Sequence, residues 1–180
     1  MIMKTRDMTL TAVAAALICI TGPLTIAAGP VPLSLATFAV YLAGAILGKK
    51  RGTAAVGLYL LIGIVGVPVF SGFSGGFQKL AGVTGGYLAG YLPCAFLAGA
   101  GAEKAEKEGR KWLLPGMMAA GTAMLYAIGT AWFMIQTGNG LGAALGLCVL
   151  PFLPGDAVKI AAAATLAVPV RKAVNAMHSA

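Results

Sequence analysis

Long apolar stretches alternate with short basic clusters along this chain. The clusters are Lys4 with Arg6, Lys49 to Arg51, Lys104 to Lys111, and Arg171 with Lys172. Residues 8 to 48 are interrupted near the middle by Gly29, Pro30 and Pro32, which mark a tight turn between two apolar segments. The pattern predicts six membrane-spanning helices over residues 8–28, 33–48, 53–67, 80–100, 112–136 and 143–170. About 20 apolar residues cross a hydrocarbon core of roughly 30 Å, so six spans consume most of the chain. The expected architecture is an all-α integral membrane protein, one transmembrane domain over residues 1–180, with short loops and no room for a soluble catalytic domain.

Composition agrees. The 180 residues are 59% hydrophobic and 10% charged, against about 25% charged in soluble domains. Mean hydropathy is +0.89, so lipid must cover most of the apolar surface. The net charge of +8 from thirteen Lys and Arg against five Asp and Glu reads as topology rather than as a nucleic-acid footprint. With a cytoplasmic N-terminus, each basic cluster follows an even number of spans, and eleven of the thirteen basic residues fall inside. Both termini are then cytoplasmic, with Lys79 in an outer loop and Lys159 within a span. A cleavable signal ending near Ala27 and Ala28 is disfavoured, because its apolar run is long and its removal would misplace the basic clusters.

Small residues recur at helical spacing: Gly82, Gly86 and Gly90, and again Gly138, Gly142 and Gly146. Such rows let helices approach closely in lipid. Ala12 and Ala16 give the first span a smooth face that suits either internal packing or a partner helix. Cys19, Cys94 and Cys148 read as small buried hydrophobes without disulfide or metal spacing.

Catalysis finds little support. Gly72-Phe73-Ser74-Gly75-Gly76 matches G-x-S-x-G, but the one histidine, His178, lies in the polar tail, leaving the serine without a base. Gly44 to Lys49 is one residue short of a phosphate-binding loop, so the chain is expected to be neither an enzyme nor an ATPase. The exception is Asp156 with Lys159. These charges lie three apart within the sixth span, on one helix face, and an ionisable group inside a span marks a functional site by default. Pro151 and Pro154 add broken backbone of the kind tolerated where it lines a cavity. Asp156 precedes Arg171 by fifteen residues, about 22 Å at 1.5 Å per residue, which places the pair in the outer half of the bilayer. Pro68 to Gly76, with Phe73 and Gly76, has the composition of an outer lid. Thr84, Gly85 and Tyr87 at the top of the fourth span, and Thr37 at the top of the second, add polar groups at similar depth. The expected pocket is apolar with a few fixed polar groups, open outward, and fitted to a small molecule with an apolar body and polar ends.

Gly66-Val67-Pro68-Val69-Phe70, Gly75-Gly76, Thr84-Gly85-Gly86-Tyr87-Leu88, Val149 to Asp156 and Lys159 together resemble BioY, the biotin-capturing S component of energy-coupling factor (ECF) transporters. Val31-Pro32, Leu42-Ala43-Gly44 with Leu47-Gly48, and Trp132 extend the resemblance over nearly the whole chain. It implies a six-helix S-component bundle in a prokaryotic plasma membrane, biotin as transported ligand and no cofactor. It also implies a transmembrane coupling subunit and two ATPase subunits as partners, docked partly through Ala12 and Ala16. By alignment with the family's motifs, Asp156 and Lys159 match its polar binding pair and Thr37 its second-span threonine. Ala36 stands where many members have glutamine, and no arginine follows Gly85-Gly86-Tyr87 through Cys94. The partner of the ligand's carboxylate is thus open between Lys79, a protonated Asp156 and backbone N–H groups. An S component for another vitamin, or a proton-coupled transporter using Asp156, would share much of this pattern.

Overall fold

The computed structural model describes residues 5–26, 31 and 33–179. Lys4, Ala27, Ala28, Gly29, Pro30 and Pro32 lie outside the described residues, as does the side chain of His178. The described chain forms α1 (Thr5–Thr21), β1 (Thr25–Ile26), β2 (Leu33–Ser34), α2 (Ala36–Ile64), α3 (Phe77–Ala81), α4 (Gly85–Glu108), α5 (Leu113–Thr137), α6 (Leu141–Cys148) and α7 (Leu153–Ser179). The two short strands pair antiparallel, with Thr25 opposite Ser34.

Six long helical segments emerge once α2 is divided at Gly48, whose φ of 83° and ψ of 171° interrupt it. That backbone conformation is open essentially to glycine alone. The break is capped from both sides. Arg171 Nη1 donates to the carbonyl of Ala45 at 2.9 Å, at the end of the first half. Glu103 Oε1 accepts the N–H of Lys49 at 3.0 Å, at the start of the second. A cation at a helix C-terminus and an anion at an N-terminus satisfy groups that the break would otherwise leave unpaired.

The elements depart from the expected spans for local reasons. The first helix stops at Thr21 rather than residue 28, because Pro23 has no N–H to continue it. The second and third expected spans are the two halves of α2, with Lys49 to Arg51 at the restart. The fourth begins at Gly85, after the separate short α3, and runs past residue 100 to Glu108 because Ala, Glu and Lys from Ala102 onward favour helix even where apolarity ends. The sixth expected span, 143–170, is two helices. α6 ends at Cys148, and α7 starts at Leu153, with Pro154 in its first turn, where a missing N–H costs nothing. The prolines therefore start a helix rather than break one.

Considered singly, α5 over Leu113–Thr137 and α7 over Leu153–Ala176 are long and apolar enough to cross a membrane. The other segments fall short because α1 has 17 residues, the basic cluster sits inside α2, and glycines and tyrosines dilute α4. Large apolar side chains nevertheless face outward on every long helix, among them Val13 and Leu17, Leu61, Phe96, Ile135 and Val158. Lipid is the environment in which such a surface is stable.

Close helix approach rests on glycine, as expected for part of the chain. A Cβ at Gly44 would lie 2.4 Å from the carbonyl oxygen of Ala95, and one at Gly99 would lie 2.3 Å from the backbone nitrogen of Lys49, so α2 and α4 touch backbone to backbone. Gly86 receives Trp132 and Gly90 receives Leu125, joining α4 to α5. The row at Gly138, Gly142 and Gly146 is different: a Cβ at any of the three would meet no neighbouring atom within 4 Å among the described residues, so the row brings no helices together there.

Contacts gather the basic clusters at one end. Arg51 pairs with Asp7, Lys49 with Glu103 at 3.2 Å, and Arg171 with Glu106 at 3.0 Å. The β1–β2 hairpin, the 68–76 loop and the start of α7 occupy the other end.

Candidate ligand-binding site

Asp156 enters the site from the first turn of α7, where the helix dipole favours a carboxylate. It is 4% exposed, and both its oxygens are engaged. Lys159 Nζ donates to Oδ1 at 2.9 Å, and the Tyr126 hydroxyl of α5 donates to Oδ2. Lys159 also donates to the carbonyl of Ser34 at 2.8 Å and to Thr37 Oγ1 at 3.0 Å. An ammonium has three N–H bonds, and all three are used. Thr37 in turn donates to the Ser34 carbonyl at 3.3 Å. Ser34 Oγ donates to the carbonyl of Gly22 at 3.0 Å and accepts the N–H of Ala36 at 2.9 Å. One polar network therefore joins α5, α7, the start of α2 and the hairpin. A buried ion pair satisfied on every side is one whose single-partner removal costs about 3–5 kcal/mol.

Around this network lies a cavity of about 40 Å³, lined by Thr37, Tyr87, Tyr91, Tyr126, Cys148 and Phe152 beside the ion pair. A second, of about 30 Å³, is lined by Phe70, Ser71, Lys79, Thr84 and Leu88. Val31, Tyr87 and Tyr91 wall both, so the two are adjoining lobes separated by these side chains. The Lys79 ammonium makes no hydrogen bond or ion pair among the described residues.

The structure brings together five of the residues singled out from sequence. Asp156, Lys159, Thr37 and Tyr87 line the first lobe, and Thr84, with Tyr87, the second. Three stand elsewhere. Phe73 is 69% exposed at the tip of the 68–76 loop, while Phe70 of the same loop is wholly buried. Phe70 packs edge-on against Tyr59, with ring centroids 5.5 Å apart, and fills the space left by Gly63. Gly76 precedes α3 with a φ of 91° and donates its N–H to the carbonyl of Gly63 at 2.7 Å, anchoring the loop rather than lining the lobes. Gly85 packs against the carbonyl of Leu80 and against Trp132. Ser74, the serine of the hydrolase-like motif, donates to the carbonyl of Ser71 at 2.8 Å within the turn. Ala12 and Ala16 are both exposed on α1, opposite the buried Thr11, Ala15 and Ile18.

Tyr126, Tyr91 and Phe152 were not evident as site residues from sequence. Tyr91 carried a signal, since it lies four residues after Tyr87 and so on the same face of α4. Tyr126 carried a weaker one: a tyrosine deep in a span must find a partner for its hydroxyl.

Known proteins share this sequence and arrangement. The BioY family profile matches residues 1–176. The biotin transporter BioY of Thermotoga maritima is 40% identical over 157 residues, covering 87% of this chain and 90% of that protein. The probable biotin transporter BioY of Pyrococcus horikoshii is 38% identical over 165 residues, covering 92% and 96%. A crystal structure of the S-component for biotin from an ECF-type ABC transporter superposes with a TM-score of 0.83 at 27% identity, covering 97% of this chain and 95% of that one. On a match that runs almost from end to end, the chain belongs to the BioY family.

Proposed function

We propose that this protein is the biotin-binding S component of an ECF-type transporter, taking biotin from the outer side of the plasma membrane for import driven by ATPase partners. The observation that carries the reading is the two adjoining lobes, with a buried Asp156–Lys159 pair in one and an uncommitted Lys79 in the other. Biotin has matching chemistry, with a ureido ring that both donates and accepts hydrogen bonds, an apolar body and a terminal carboxylate.

In this assignment Asp156 accepts from a ureido N–H and Lys159 donates toward the ring, while Tyr126 holds Asp156 through Oδ2. Tyr87, Tyr91 and Phe152 enclose the apolar body. Lys79, beside Ser71 and Thr84, takes the carboxylate, a role the absence of an arginine after Gly85-Gly86-Tyr87 leaves open in the family's pattern. The lobes hold at most a few waters, each of which needs about 10–15 Å³. Admitting the vitamin therefore requires Val31, the loop residue that walls both, to withdraw and merge them.

Outward orientation follows from the basic end, which the positive-inside rule places in the cytoplasm. Energy comes from partners: a coupling subunit seated against the Ala12 and Ala16 face, and two ATPases. Titration of the purified protein in detergent with biotin, and with other vitamins as controls, tests the assignment. Saturable binding of biotin alone is expected, and tighter binding of another vitamin would replace it.

A further inference from the structure

A third cavity, of about 240 Å³, opens at the basic end of the bundle between α7 and the α4–α5 pair, well removed from the ligand lobes. Its walls are apolar: Ala45, Ala102, Ala105, Leu114 and Ala167. Its rim is cationic. Lys111 and Lys172 are exposed, and their ammonium groups make no hydrogen bond or ion pair among the described residues.

The other charges at the rim are already committed. Arg171 Nε donates to Glu106 Oε2 at 3.0 Å while its Nη1 caps α2 at Ala45. Glu106 Oε1 accepts from Asn175 Nδ2 at 3.1 Å. Glu106 is thus neutralised by Arg171, and the two free lysines leave the rim with an excess of positive charge over an apolar chamber.

From this combination we infer that the cavity is a binding site for an anionic phospholipid of the cytoplasmic leaflet, with the phosphate headgroup between Lys111 and Lys172 and the start of an acyl chain along the alanine walls. A free phosphate would satisfy the lysines and leave the chamber empty, whereas a zwitterionic lipid would fill the chamber and forgo the charge. Trp112, adjacent to Lys111 and 65% exposed, sits where an aromatic ring marks the headgroup level. Basic pockets between helices on the cytoplasmic side are suited to such headgroups, and each lysine near an anionic surface contributes roughly fivefold in affinity.

The test is native mass spectrometry of the purified full-length protein in detergent, incubated with equal amounts of phosphatidylglycerol and phosphatidylcholine of the same acyl chains. The parent should carry phosphatidylglycerol in preference by about 25-fold, the product of the two lysine contributions. Lys111→Gln with Lys172→Gln should bring the ratio close to one. Ala105→Leu, which keeps both lysines but fills the chamber, should lose retained lipid of either kind. Millimolar inorganic phosphate should not displace the phosphatidylglycerol. Equal retention of both lipids by the parent, an undiminished preference in the double lysine variant, or displacement by phosphate would overturn the inference. If the double lysine variant does not fold, Ala105→Leu decides alone: unchanged retention of phosphatidylglycerol there also overturns it.

Discussion

Asp156 and Tyr126 form the most consequential pair of side chains in the ligand lobe, because between them they fix which atoms of the site remain as acceptors. Asp156→Asn keeps the shape but replaces one acceptor oxygen with a donor and removes the charge opposite Lys159. Biotin affinity should fall at least tenfold, about 1.4 kcal/mol, measured by titration in detergent, and an unchanged Kd would remove Asp156 from the ureido contact. Tyr126→Phe deletes one donor to Oδ2 and leaves the ring in place. A hydrogen bond to a charged group contributes about 1.5–3 kcal/mol, so this variant should bind biotin more weakly and melt earlier. Lys79→Met makes a more selective prediction: it should weaken biotin but not biotinamide, which lacks the carboxylate, and equal weakening of both would relieve Lys79 of that role. At this scale the sequence was most readable where it was most unusual. Two charges in an apolar span can hardly be overlooked, whereas Tyr126 resembles the other aromatics of a membrane helix until its partner is seen. Phe73 and Phe70 share a loop of one composition, and nothing in composition says which ring turns inward.

Among the elements, the interrupted α2 shows how the bundle closes on itself. Its two halves are joined at Gly48, and the caps come from α7 through Arg171 and from α4 through Glu103. The break thereby fastens three helices at the basic end. Gly48→Ala forces a side chain into a backbone region with φ of 83° and toward Glu103 Oε1, 2.8 Å from the new Cβ. A loss of about 1–3 kcal/mol is expected, seen as a Tm lowered by roughly 2–4 °C per kcal/mol. A Tm equal to the parent's would mean that the caps, not the glycine, hold the break. The positions of most long helices could be read from apolar length and basic punctuation. Their ends could not, because the chain stays helical through Glu103 to Glu108 for reasons of propensity while the apolar signal has already stopped. The division of α6 from α7 was hidden for the opposite reason: apolarity continues through Val149 to Leu153 while the helix does not.

For the molecule as a whole, the grouping of basic clusters at one end was legible because each bounds an apolar stretch, and the paired contacts of Asp7, Glu103 and Glu106 bring them together. The Ala12 and Ala16 face remains exposed beside Val13 and Leu17. Ala12→Leu with Ala16→Leu should leave biotin binding by the isolated protein unchanged and abolish copurification with the coupling subunit. Retained copurification would move the docking face elsewhere. The fully used ammonium of Lys159 has a kinetic consequence. A ligand oxygen reaches Nζ only by exchange with Ser34, Thr37 or Asp156, so capture must wait for one of these three bonds to open. The observed association rate should then level off as biotin concentration rises, at a ceiling set by how often one of these bonds opens. The same clasp, closed again over the vitamin, would delay its escape long enough for a slow ATPase cycle to collect it.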